Sequence, residues 1–99
     1  MADRPYIPQG VPSISAARAT LSTTPAIEIP ARAGRTSVLI LNLDTAITVY
    51  VGGSDVTTAN GFPLFSGSPA GGSITIYGAG DIWMVSASGT PSVAYFEEF

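Results

Sequence analysis

The apolar residues of this chain come in short runs with a period of two, and glycine or proline interrupts them at spacings of about 8–12 residues. The run Ile47-Thr-Val-Tyr-Val51 is the clearest. In an extended strand it puts Ile47, Val49 and Val51 on one face and Thr48 and Tyr50 on the other. Residues 36–43, Thr-Ser-Val-Leu-Ile-Leu-Asn-Leu, form the strongest strand signal. Asp44-Thr45 supplies turn chemistry between the two runs, so they read as a hairpin. Strands are also predicted over 73–77, 81–87 and 92–97, with turns at Gly78-Ala-Gly80 and Ser88-Gly-Thr-Pro91. Residues 20–24 and 26–29 read as one or two short strands around Pro25. No window of eleven residues supports a helix, and a helical reading of 16–21 stops at the Thr/Pro cluster that follows. The fold class is therefore all-β, a single small β-sandwich or jelly-roll-like barrel.

The chain has 99 residues, enough for one domain with a real core. It divides into an extended Pro-rich N-terminal arm, residues 1–17, and a β-sandwich domain, residues 18–99. Pro5, Pro8 and Pro12 fix φ and bias their predecessors towards extended backbone. The arm would reach up to about 55 Å at ~3.3 Å per residue. A frayed terminus is one reading of it. The other is a partner-binding arm that docks through Tyr6, Ile7, Val11 and Ile14, apolar residues for which a solvated tail has little need. Residues 52–72 form a long irregular segment. Asn60-Gly61 suits a turn with positive φ. Phe62, Leu64 and Phe65 are expected to tuck back onto the sandwich, with short strand pieces near Val56 and Leu64.

The residue inventory excludes many chemistries. The chain has no cysteine and no histidine, and its four basic residues are all arginine, Arg4, Arg18, Arg32 and Arg35. Disulfides, a thiolate nucleophile and a Cys-type zinc site are out of reach. Hydroxyl nucleophiles lack a His or Lys base. The seven carboxylates include Asp44, Asp55 and Asp81, which fall in predicted turns where Asp serves local backbone hydrogen bonds. A calcium site built on them is conceivable, but no EF-hand spacing supports it. We therefore expect no enzyme, no catalytic residues, no cofactor and no metal. A net charge of -3 without lysine argues against nucleic acid. The longest apolar run, Val38-Leu-Ile-Leu41, is far short of a membrane span. Met1-Ala2-Asp3-Arg4-Pro5 lacks the pattern of a secretory signal, so the protein is expected to be made and kept in a cytoplasm.

Charged residues make up 11% of the chain, against about 25% in an ordinary soluble domain. Free β domains guard their edges with charge, lysine above all. A charge-poor chain whose cations are all Arg instead matches the composition of buried interfaces. A homo-oligomer is expected. Trp83, Phe96 and Phe99 are the candidate oligomer-interface or core residues. Tyr50, Tyr77, Trp83 and Tyr95 leave open a glycan-binding platform as a less favoured alternative.

The run Arg35-Thr-Ser-Val-Leu-Ile-Leu-Asn42, with Ile47 to Gly53, Val56 to Leu64, Gly71-Gly72-Ser73, Ile82 to Ala87 and a last strand ending in glutamate, resembles a recurrent small β domain of tailed-bacteriophage virion proteins. The resemblance spans residues 18–98 and rests on turn glycines and strand apolars. It implies a non-enzymatic virion part, most of all a capsid decoration (cement) protein bound to the major capsid protein on the capsid surface. A neck, tail or fibre-attachment component is the alternative it also implies. Assembly in the host cytoplasm and a homotrimer, favoured because capsids offer local threefold positions, are further implications of the resemblance; no catalytic residues come with it.

Overall fold

A computed structural model describes residues 13–69 and 71–99, and it holds eight strands. In chain order they are β1 (Ile14–Thr20), β2 (Ala26–Ile29), β3 (Ser37–Asn42), β4 (Val49–Gly52), β5 (Phe62–Leu64), β6 (Ser73–Tyr77), β7 (Ile82–Ser86) and β8 (Ser92–Glu98). All pairings are antiparallel, and they build two four-stranded sheets of order β1-β8-β3-β6 and β2-β7-β4-β5. This is the strand order of a jelly roll, in which the chain alternates between two facing sheets. Among consecutive strands, only β4 and β5 are neighbours in one sheet.

That alternation overturns the expected hairpin of residues 36–43 and 47–51. β3 pairs with β6 and β8, whereas β4 pairs with β5 and β7. The two runs face each other across the core instead of lying side by side. Asn42 makes the crossing. It is fully buried, its Nδ2 donates to the carbonyls of Ile47 and Leu64, and its Oδ1 accepts from the Asp44 amide. The Asp44 carboxylate then accepts from the amides of Ala46 and Ile47. The side chains thus satisfy the backbone of a corner that no ladder serves.

The core lies between the sheets, built from Val38 and Ile40 of β3, Val93 of β8, Val49 and Val51 of β4, and Ile82 and Met84 of β7, with Leu21, Ile29 and Leu64. Period-two alternation selects these residues, and their sequence neighbours point outward. Leu21 sits in the connection after β1, where its amide bonds the Pro91 carbonyl, so residues 20–24 are largely loop and the first strand lies earlier in the chain. β1 begins at Ile14 and is paired along its length with β8. Residues 14–17 therefore belong to the sheet and not to the arm expected over 1–17. Backbone bonding extends one residue further, since Ser13 and Phe99 exchange both of their hydrogen bonds.

Residues 53–61 cross the outer side of the β2-β7-β4-β5 sheet. Val56 is in a turn, not a strand, yet it is buried. Gly52 and Gly61 clasp it: a Cβ on Gly61 would come within 2.7 Å of Tyr50 Cβ and 2.8 Å of Val56 Cγ2. Gly61 is thus required by close approach and not by positive φ, which the chain adopts at Gly34, Gly78 and Gly89. Of the three apolar residues expected to tuck in, Leu64 does so, while Phe62 and Phe65 are exposed.

Candidate functional site

The two outer faces differ. On the β2-β7-β4-β5 sheet, Val85 points outward and is nonetheless buried, and Val56 of the 53–61 loop packs on the outer side of the neighbouring β4, against Gly52. On the β1-β8-β3-β6 sheet no described segment performs that service. Its outward side chains follow from register, since directly opposed residues share a face. Ala16 of β1, Phe96 of β8, Leu39 of β3 and Thr75 of β6 form a row straight across four strands. Arg18, Ala94, Leu41 and Ser73 form the row on one side, and Ile14, Glu98, Ser37 and Tyr77 the row on the other. Leu39 is 42% exposed, Phe96 45%, Ile14 63% and Tyr77 80%. An open trough of about 650 Å³ runs over this face, floored by Ala16, Leu39, Leu41, Ala94 and Phe96 with Arg18 at its rim. Bare apolar area of this kind marks an interaction surface.

The expected site residues scatter relative to this face. Tyr6, Ile7 and Val11 lie outside the described residues. Ile14 stands on the face, at the start of β1. Phe96 is at its centre, exposed and outside the core. Trp83 is on the opposite side of the molecule, half-buried on the outer face of β7, opposite Ile27 of β2 and Gly52 of β4. Phe99 ends β8's extension with the Arg32 guanidinium 3.9 Å from its ring centre, a cation–π arrangement. The aromatics do not share one surface: Tyr50 and Trp83 face outward on one sheet, Tyr77 outward on the other, and Tyr95 packs against the core.

The arginines also divide. Arg35 is buried inside the chain and does not wait for a partner. Its Nε donates to the Gly78 carbonyl, its Nη1 to the Pro30 carbonyl and to Glu97 Oε2 at 3.1 Å, and its Nη2 to the Gly80 carbonyl. Arg32 adds a second contact to Glu97, Nη1 to Oε1 at 3.3 Å. This cluster ties the β2–β3 and β6–β7 connections to the end of β8. Period-two reading puts Glu97 on the inward face, but its pairing with a residue 62 positions away has no local signature.

The turn carboxylates are structural. Asp44 caps its own turn, and Asp81 accepts from the Ala31 amide at 2.7 Å. Among the described residues no three His, Cys, Asp or Glu side chains gather as a metal set. Glu28, half-buried on β2, has its pKa raised by desolvation. No described helix is long and apolar enough to cross a membrane.

No family model matches this chain, and no curated protein matches it. A solved structure does. It is a chain of Bacillus endospore appendages, which form a novel family of disulfide-linked pili, with a TM-score of 0.55 over 90% of this chain and 86% of that one, at 18% identity. The likeness is one of fold. The disulfide linkage of those pili has no counterpart here, because this chain has no cysteine.

Proposed function

We propose that the protein is a non-enzymatic structural component of a virus particle, a decoration protein that binds the outer surface of the shell formed by the major capsid protein and stabilises it. The bare apolar face of the β1-β8-β3-β6 sheet carries this reading. A chain that buries the outward-facing Val85 and the loop residue Val56 on one side, and leaves Leu39 and Phe96 exposed and Leu41 only half-buried on the other, is shaped for coverage by protein. The likeness to a pilus chain supports a role in assembly, and the phage-type resemblance supports the virion. Such a protein stabilises a shell by linkage, since it binds the assembled state and not the dissociated one.

A second reading, a neck, tail or fibre component, draws on the same face and on the filamentous character of the pilus neighbour. Copy number separates the two. Quantitative mass spectrometry of purified particles should find as many copies as there are capsomer junctions, and particles stripped of the protein should uncoat at lower temperature. A copy number equal to one symmetric ring would transfer the protein to the neck or tail. Absence from particles would overturn both.

A further inference from the structure

We infer that the outer face of the β1-β8-β3-β6 sheet is self-complementary and seats a second copy of this chain, face to face about a two-fold axis. The inference rests on the face alone and not on the virion reading. The face carries two charges among its described residues: Arg18 at the rim of the trough and Glu98 in the outer row on the far side of the central one. They sit on adjacent strands, with Arg18 opposite Ala94 and Glu98 opposite Ile14. Four residues of β8 separate the two rows, about 13 Å at ~3.3 Å per residue, too far for them to meet within one copy. A two-fold axis running across the strands along the central Ala16–Phe96–Leu39–Thr75 row exchanges the two outer rows. It lays Phe96 on Phe96 and Leu39 on Leu39. It also brings Arg18 of each copy over Ile14 of the other, one strand spacing from Glu98, within reach of its long side chain. Both charges are then paired twice over, and no like charges are opposed.

Sheets packed this way take the same ~10 Å spacing as the two sheets of the sandwich itself. An isologous face accepts one partner, so it makes a dimer and not the trimer that the resemblance to capsid proteins favours. The footprint, about 19 by 17 Å from strand spacing and rise, is small against the ~800 Å² per partner of a standard interface. The dimer should accordingly be weak in solution, with a dissociation constant on the order of 10–100 μM.

The test is sedimentation equilibrium of the full chain and four variants, with near-ultraviolet circular dichroism as the check of fold. Wild type should dimerise in that range. Arg18→Glu sets two acidic pairs against each other and should weaken association at least about tenfold, and Glu98→Arg should do the same. The double variant Arg18→Glu/Glu98→Arg should restore affinity to within about threefold of wild type, because the swap recreates both pairs. A wild-type monomer at about 0.5 mM, or a double variant no tighter than the singles, overturns the inference. So does a dimer that survives both reversals and vanishes on deletion of residues 2–12, which would make the N-terminal segment the occupant. The face cannot seat a second copy and the shell at once: a dimer that persists on particles supports this inference and moves shell attachment off the face, whereas particles that bind only monomers overturn it.

Discussion

Arg35 and Glu97 tie the β2–β3 and β6–β7 connections to the end of β8 through their side chains. The planar guanidinium serves the carbonyls of Pro30, Gly78 and Gly80 and the Glu97 carboxylate at once, which a lysine ammonium on a flexible stem cannot match. Arg35→Ala leaves buried carbonyls unserved and Glu97 with Arg32 alone, so it should cost about 3 kcal/mol of unfolding free energy in a urea titration. Arg35→Lys should recover only part of that loss. Glu28 works in the opposite sense. Its folded-state pKa lies above the unfolded one because partial burial disfavours the carboxylate. The folded state then holds more protons than the unfolded state just above the ordinary Glu range, and stability falls as pH rises through that window. Glu28→Gln removes the titration. It should raise the thermal midpoint at pH 7, leave it unchanged near pH 3, and flatten the profile between; an equal gain at both pH values would locate the effect elsewhere.

Elements were legible in the sequence wherever period two was sustained. The residues of β6 agree end to end with the expected 73–77, and β3, β7 and β8 differ by a residue or two, because Val, Ile and Thr alternate there with little competition. Pairing was not legible. A short Asp-Thr connection between two apolar runs looks alike whether it closes a hairpin or crosses between sheets, and the deciding group, the Asn42 side chain, bonds to Leu64 twenty-two residues on. β1 escaped notice for a related reason. Ile-Ser-Ala-Ala-Arg-Ala-Thr buries little, and its place is set by the β8 partner. The bare face was half visible: Leu39, Leu41 and Phe96 could be assigned to the side opposite the core, but Val56 covering one sheet and sparing the other depends on a loop without a period. That loop gives a prediction of its own. Val56→Ala removes buried methyls worth about 2 kcal/mol at ~0.8 kcal/mol per carbon. It should also expose the outer side of β4 and β7, read as increased amide exchange of residues 50–61 with β3 and β8 unchanged. Gly61→Ala meets Tyr50 Cβ at 2.7 Å and should destabilise by about 1–3 kcal/mol through overpacking.

The described residues form a jelly roll whose β1-β8-β3-β6 face no other described segment covers, and they begin where Ser13 and Phe99 exchange hydrogen bonds. That junction decides how the N-terminal residues are tested. Removal of residues 2–14 would cut the first rung of the β1–β8 ladder, Ile14 to Glu98, and confuse a binding loss with a folding loss. Removal of residues 2–12 spares every described hydrogen bond of the sheet. The shortened chain should therefore melt within a few degrees of the full one, since few degrees correspond to well under about 1 kcal/mol in a domain of this size. If Tyr6, Ile7 and Val11 anchor the protein on a larger shell, the same deletion should abolish co-sedimentation with particles lacking the protein, while the sheet-face dimer persists. Undiminished particle binding would assign the attachment to the sandwich alone. A large drop in melting temperature would instead show the N-terminal residues to be part of the fold.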